Sequence, residues 1–407
     1  MRILLIHQNF PGQFKHLAPA LVAEGHEVRT LTLRQDLQDQ WQGVTVHCYG
    51  VQRGSSPTVH PWVGDFETKV IRGEACFRGA LQLRDQGYQP DLILAHPGWG
   101  ETLFLSEVWP TAKLAIYCEF YYRSSGSDVD FDPEFQRSQQ ESDTACRLQL
   151  KNLIYTMQAD RVAAGIAPTR WQADQFPEPL RSKITVVHDG IDTEAIAPNL
   201  RATITLNNQL TLGRQDEVIT FVNRNLEPYR GYHIFMRSLP EILRQRPKAR
   251  VILVGGDDVS YGARPPEGNW KQIFLKEVAD QLDLSRVHFV GKIPYNAFLS
   301  LLQVSSVHVY LTYPFVLSWS LIEAMSCGCA IVASDTAPVQ EVIEDGQTGR
   351  LVNFFDPAGL AAAVSELLAN PSARAKLGKK ARLFAQDHYD LQRVCLPQQL
   401  QWVRSLA

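Results

Sequence analysis

Short apolar runs recur along the chain, and most are followed by a stretch in which apolar residues return every three or four positions. RILLI (2–6), HEVRTLTL (26–33), VTVHCYG (44–50), DLILAH (91–96), KLAIYCEF (113–120), RVAAGIAP (161–168) and ITVVHDGID (184–192) read as strands. Most are continuously apolar rather than alternating, the pattern of strands buried on both faces of a parallel sheet. Between them the spacing predicts helices over 13–25, with Gly25 as the cap, over 66–87 and over 134–157, and Thr169 to Gln172 fits a capping box that opens another. Strand, turn, helix, strand in this order implies a doubly wound α/β sheet.

A second series follows a polar, aperiodic stretch at 195–216 that reads as a linker. Strands are expected at 217–224, 249–256, 286–292, 306–313, 329–334 and 350–354, and helices at 231–245, 270–283, 294–304, 337–344 and across 357–388. The expected division is therefore a first domain at 1–198, a second at 214–388, and an amphipathic tail at 389–407 that crosses back onto the first as a helix. Two such sheets would form a cleft between the C-terminal ends of their strands, where ligands of open parallel sheets bind.

Composition narrows the function classes. At 407 residues the chain exceeds one ordinary core. A formal net charge of −3 leaves no basic footprint for nucleic acid. No apolar run reaches the length of a membrane span, and MRILLIHQNF reads as the start of a buried strand rather than a secretion signal, so a cytoplasmic protein is expected. The seven cysteines are scattered, and Cys327 with Cys329 alone makes no metal site, which fits free thiols in a reducing compartment. The first strand is not followed by G-x-G-x-x-G, which disfavours a dinucleotide dehydrogenase.

The stretch YPFVLSWSLIEAMSCG (313–328) is the strongest candidate for chemistry. A loop bearing Ser318, Trp319 and Ser320 feeds a helix N-terminus, where unpaired N–H groups and the dipole favour an anion. Glu323 follows one turn later; Ser320 to Glu323 also fits a capping box, a purely structural alternative.

Three segments, LIEAMSCGCAIVASDTAPVQEVIEDGQTGRLV (321–352), VNRNLEPYRGY (222–232) and VVHDGIDTE (186–194), resemble the group 1 glycosyltransferases, family 4, whose members are retaining enzymes of the GT-B fold. The resemblance implies two Rossmann-like doubly wound domains facing each other across a cleft, with a C-terminal helix returning to the first. It implies transfer of a hexose-type sugar from a nucleotide-diphosphate donor to a hydroxyl acceptor with retained anomeric configuration, no cofactor and no metal. Asp257-Asp258 then reads as a solvated turn. Carried over by position, Arg224 and Arg230 contact the diphosphate, with Arg230 standing where a lysine is usual, and Glu323 holds the ribose hydroxyls. Ser318 and Ser320 serve the phosphates, with Trp319 between them also on the donor side, Gly12 lies near them after the first strand, and Lys292 and Ile293 pack beside the base. Glu119 stands where a histidine is common near the sugar and acceptor, and His96, Tyr121 and Tyr122 are acceptor-side candidates. One departure stands out: the family's E-x7-E pair has Phe315 in place of its first, sugar-reading glutamate. The implied partners are a nucleotide sugar and a glycan, lipid-linked or small-molecule acceptor, with peripheral contact at the inner membrane face for a lipid-linked one. A GT-B sugar-nucleotide epimerase and a non-catalytic nucleotide-sugar-binding partner are the alternatives.

Overall fold

In a computed structural model, which describes residues 1–135, 141–207 and 209–407, the first seven apolar runs all join one sheet. Its strands are β1 (Arg2–Ile6), β2 (Glu27–Thr32), β3 (Gln40–Trp41), β4 (Val44–Cys48), β5 (Leu92–Ala95), β6 (Lys113–Tyr117), β7 (Val162–Ala167) and β8 (Ile184–Val186). Their order is β3-β4-β2-β1-β5-β6-β7-β8, parallel throughout except for the short β3. Alternate residues of β1 enter separate cores. Leu4 and Ile6 pack with Ile93, Leu114 and Ile116 on one face, and Ile3 and Leu5 with Leu92, Leu94 and Ala115 on the other. The C-terminal helix Leu396–Arg404 supplies Trp402 and Val403 to the second of these cores, so the end of the chain is part of the first unit, Met1–Asp189 with Gln392–Ala407.

The second unit, Gly190–Leu391, holds a hairpin and a six-stranded parallel sheet. The hairpin pairs β9 (Thr203–Leu206) with β10 (Leu210–Gly213). The sheet comprises β11 (Val218–Asn225), β12 (Arg250–Gly256), β13 (Val287–Gly291), β14 (Val307–Tyr310), β15 (Ile331–Ser334) and β16 (Arg350–Val352), in the order β13-β12-β11-β14-β15-β16.

Both sheets reverse direction beside their first strand: β1 lies between β2 and β5, and β11 between β12 and β14. At such a reversal the connections leave to opposite faces and open a crevice at the strand C-termini. The residues that follow β1 and β5, and those that follow β11 and β14, are therefore the ones each unit presents to a ligand.

Several expectations are corrected. The stretch at 195–216 is not a structureless linker, and the boundary falls between Asp189 and Gly190, before residue 198. Ile204 and Leu206 alternate with polar residues, as do Leu210 and Leu212, and Leu212 and Ala202 are buried with Val218, Ile252 and Leu301; each half is only four residues long, too short to stand out as a period. The helix expected over 134–157 is two helices, Glu141–Lys151 and Leu153–Thr156, and its positions 136–140 lie outside the described residues. The helical pattern at 13–25 splits into a 3₁₀ turn, Gly12–Phe14, and a helix, Leu17–Ala23. The helix expected at 337–344 spans Ala337–Gln340.

Gly231 opens the helix Tyr232–Gln245 with φ at +67°, and a Cβ there would lie 2.3 Å from Leu311 Cβ, at the end of β14. Gly231→Ala combines left-handed strain with a clash against the buried strand end. It should cost roughly 2–3 kcal/mol in urea unfolding; a loss below about 0.5 kcal/mol, the level of an ordinary surface change, would contradict this packing.

Candidate active site

In the second unit the crevice begins where β11 ends. Arg224 is exposed there and makes no ion pair or side-chain hydrogen bond among the described residues. Two strands away, Lys292 follows β13, is likewise exposed, and likewise pairs with nothing among the described residues. Between them β12 ends in Gly255 and Gly256, and a Cβ on Gly256 would fall 2.7 Å from Lys292 Cε. Two unpaired cations thus flank a stretch of bare backbone, an arrangement with positive potential and room for a polyanion. Asp257 and Asp258, just beyond, are ion-paired with Lys271 at 3.1 Å and Arg264 at 2.7 Å.

Arg230 also follows β11 but is buried. It is 5% exposed, and its Nη1 donates to Thr312 Oγ1 at 2.8 Å and Val316 O at 3.1 Å, with Tyr310 Oη at 3.4 Å. Its guanidinium lies over Tyr261 and Phe315, 5.1 and 5.7 Å from the ring centres. Phe315 is buried, 4.9 Å from the Tyr261 ring and 5.6 Å from Tyr229. Where the family resemblance implies a sugar-reading carboxylate, this chain has an aromatic cluster under an arginine. Tyr261 belongs to the long loop after β12. Glu227 anchors that loop, accepting from the backbone N–H groups of Ser260, Tyr261 and Gly262 at 3.0, 3.2 and 3.3 Å.

The helix Trp319–Ser326 starts two residues earlier than the capping-box alternative requires. Ser318 is its N-cap, accepting from Ser320 N, and Ser318 N donates to Tyr310 Oη at 2.9 Å. Ser320 is therefore inside the helix and is not the N-cap that a Ser320–Glu323 box needs. Glu323, 9% exposed, instead accepts at Oε1 from the Tyr295 phenol at 2.5 Å. Tyr295 comes directly after Lys292, Ile293 and Pro294, the turn expected beside a base. Trp319, one turn before Glu323, is 42% exposed.

In the first unit the crevice is built on two histidines at the reversal point. His7 follows β1. Its Nδ1 accepts from Asn9 N at 3.0 Å, which leaves Nε2 to donate to Gln13 Oε1 at 2.7 Å, and Gln13 Nε2 donates to Glu119 Oε1 at 3.2 Å. Gly12, at φ +46°, makes this possible: a Cβ there would sit 2.3 Å from His7 Nε2. His96 follows β5, stacked on Trp99 at 4.4 Å and Tyr117 at 5.6 Å. Its Nδ1 accepts from Gly98 N, and its Nε2 lies 3.3 Å from Glu119 Oε2, within ion-pair distance though poorly aligned for a hydrogen bond. The Glu119 carbonyl is held by Gln172 Nε2 at 2.6 Å, so the expected capping-box glutamine is turned toward Glu119 while Thr169 Oγ1 caps Gln172 N. A half-exposed carboxylate is thus oriented from two sides by groups that are themselves fixed.

The aromatic candidates are placed differently. Tyr121 packs on Tyr155 and Phe176 against the core. Tyr122 lies under Lys151, whose Nζ is 3.5 Å from its ring centre. Sequence reasoning missed His7, Gln13, Trp99, Gln172 and Tyr295. For the first two a signal was present, since HQNFPGQ crowds polar residues directly after a fully buried strand.

Comparison with known proteins bears on these crevices. Residues 24–196 match the model of the glycosyl transferase family 4 group, and residues 204–384 that of the glycosyl transferases group 1. The chain belongs to the group 1 glycosyltransferases. Among relatives, this glycosyltransferase is 28% identical over 236 residues to D-inositol 3-phosphate glycosyltransferase of Streptomyces avermitilis, covering 56% of the chain and 48%, about half, of that relative. It is 23% identical over 418 residues to the glycogen synthase of Mycobacterium tuberculosis, covering 97% of the chain and 92% of that protein. Among solved structures, sucrose-phosphate synthase from Thermosynechococcus elongatus aligns over 100% of the chain and 99% of its own with a TM-score of 0.73 at 21% identity. Anabaena Alr3699/HepE, solved in complex with UDP, aligns over 100% of both chains with 0.69 at 18%. The fold of the glycosyltransferase is GT-B, with two Rossmann-like units.

Burial, with His96 adding to it, lowers the His7 imidazole to about 3, and burial lowers His188 and His308 to about 4. Each folded value lies below the usual 6.5, so protonation favours the unfolded chain. The stability these groups carry is complete above about pH 6.5 and is lost as the pH falls toward 3 to 4, at roughly 1.4 kcal/mol per pH unit for each proton taken up. His7→Asn should give a shallower acid limb than wild type, by about one proton, in urea midpoints measured from pH 7 to 4; superimposable limbs would contradict a neutral, buried His7.

Proposed function

We propose that the protein transfers a hexose-type sugar from a nucleotide-diphosphate donor to a hydroxyl acceptor, with retention and without a metal. The observation that carries this is the pair of unpaired cations, Arg224 and Lys292, flanking Gly255 and Gly256 at the reversal point of the second sheet. Departure of a diphosphate builds negative charge, and fixed cations with the N-terminus of Trp319–Ser326 stabilise it. Glu323 reads the ribose: a carboxylate accepts from a vicinal diol, and the N-cap is Ser318 where a Ser320–Glu323 box would need Ser320. Arg230 acts chiefly by fixing the loop that carries Phe315 to Ser318. Ile293 packs beside the base.

On the acceptor side, Glu119, held by Gln13 and facing His96, orients the acceptor hydroxyl. Displacement then proceeds on the face of the leaving group, whose phosphate oxygen takes the acceptor proton. The acceptor is a glycan, a lipid-linked sugar or a small molecule. Among the described residues no helix is long and apolar enough to cross a membrane, so a lipid-linked acceptor would be met by peripheral contact. We place the protein in the cytoplasm; among the described residues the cysteines form no disulfide, which is compatible with a reducing compartment.

A second reading has one observation in its favour. Phe315, buried against Tyr229 and Tyr261, leaves the position of the sugar-reading glutamate without a carboxylate. A protein that binds nucleotide sugars without transfer would tolerate this.

The test is a calorimetric screen of UDP, GDP and ADP and their sugars, followed by product analysis with and without acceptors. Arg224→Ala and Lys292→Ala should each weaken the preferred nucleoside diphosphate about tenfold, the scale of one charge-assisted contact, while leaving the nucleoside nearly unchanged. Equal losses for both ligands would sink the phosphate assignment. Glu119→Gln should slow transfer without altering donor affinity. Binding without turnover across an acceptor panel would favour the second reading, and product formed without acceptor would indicate an epimerase.

A further inference from the structure

Tyr295 combines two properties that rarely meet in one side chain. It is 54% exposed, yet its phenol donates a 2.5 Å hydrogen bond to Oε1 of Glu323, a carboxylate 9% exposed. The two residues come from different crossovers of the second sheet. Tyr295 is the first residue of Tyr295–Val304, which follows β13, and Glu323 lies in Trp319–Ser326, which follows β14. The bond is therefore a tie between two loops that the sheet places apart, with β12 and β11 between β13 and β14.

The turn that presents Tyr295 is short and stiff. Gly291 ends β13 at φ +65°, Lys292 and Ile293 follow, and Pro294 caps the helix at φ −60° and ψ 152°. With Pro294 fixed by its ring and Tyr295 by the helix, the phenol has few ways to reach its partner. Phenol-to-carboxylate bonds are charge-assisted and short, and they are directional. Burial first, and then the bond and the negative charge of Glu323, raise the Tyr295 phenol, so it remains a donor at neutral pH.

We infer that Tyr295 is a positioning residue for the nucleoside: it ties the base-side turn, Lys292 to Pro294, to the carboxylate that reads the ribose, and it fixes the plane of that carboxylate. This rests on the assignment of Glu323 to the ribose in the proposed function. A carboxylate offers about four lone-pair sites, and the phenol occupies one of them. The tie has two consequences for recognition. It holds the base side and the ribose side of the site at one separation before a ligand arrives, which lowers the ordering cost of binding. It also makes affinity depend on a ribose that presents its hydroxyls at the angle the phenol has set.

The experiment uses the full chain and compares wild type, Tyr295→Phe, Glu323→Leu and the double variant. Each is titrated calorimetrically with the preferred nucleoside diphosphate, its 2′,3′-dideoxy analogue and inorganic pyrophosphate. Tyr295→Phe keeps the ring and removes only the hydroxyl. It should weaken the ribose-containing ligand about five- to tenfold and leave pyrophosphate and the dideoxy analogue within twofold. In the Glu323→Leu background the same change should have no further effect, because the acceptor is gone. Thermal unfolding of each variant accompanies the titrations. A Tyr295→Phe protein that binds the nucleoside diphosphate as tightly as wild type or tighter would overturn the inference, the tighter case showing the phenol to be a placeholder that ligand displaces. Equal losses for all three ligands would overturn it too, in favour of a general structural role. In both cases the donor-binding reading stands, because wild type binds. Failure of wild type to bind any nucleoside diphosphate would overturn both.

Discussion

The second unit depends on one buried charge. Arg230 cannot leave its guanidinium unsatisfied away from water, and the loop after β14 supplies what it needs from Thr312, Val316 and Tyr310. Tyr310 then uses the same oxygen to accept from Ser318 N, the residue that caps the next helix. The position of that helix, and so of Glu323, follows from how an arginine is solvated by protein. Aromatic rings close the arrangement from above: Phe315 and Tyr261 cover the guanidinium, and Glu227 keeps Tyr261 there by binding the backbone around it. Such a network is costly to half-satisfy, which is why its members are best understood together.

The first unit solves a related problem with neutral groups. Its crevice is organised by two buried histidines whose Nδ1 atoms are both occupied by backbone N–H groups, so both direct Nε2 outward. One reaches Glu119 through Gln13 and the other faces it. One carboxylate residue is thus contacted by residues that follow β1 and β5 and by the helix after β7.

Much of this was legible in the sequence, and what was not has physical reasons. The parallel strands announced themselves because burial on both faces leaves continuous apolar runs, and β1 and β5 were placed within a residue. The hairpin β9–β10 was missed because four-residue strands on a unit's margin carry too few alternations. At the site, residue types were readable and partners were not. Glu323 stood out by its surroundings, but that the helix starts at Trp319, with Ser318 and not Ser320 as its cap, was not readable from residue types alone. Arg230 was expected at the diphosphate together with Arg224; only packing shows that it is buried and bonded to Thr312 and Val316. Tyr295 carried no signal, since a tyrosine after Pro294 is ordinary until a carboxylate 28 positions away proves to be its partner.

The Glu227 carboxylate has a further consequence for how the molecule can vary. Three successive N–H groups at Ser260 to Gly262 form the kind of concavity that binds anions, and the protein fills it with its own side chain. The loop is thereby fastened at its first part, while Asn269 fastens its last by capping the helix Trp270–Val278. The residues between, 263–268, span two anchored ends and lie on the surface. Insertions there would lengthen a closed loop at small entropic cost without disturbing either anchor, so this segment can gain or lose length, and with it new contacts, while the crevice beneath it keeps its shape.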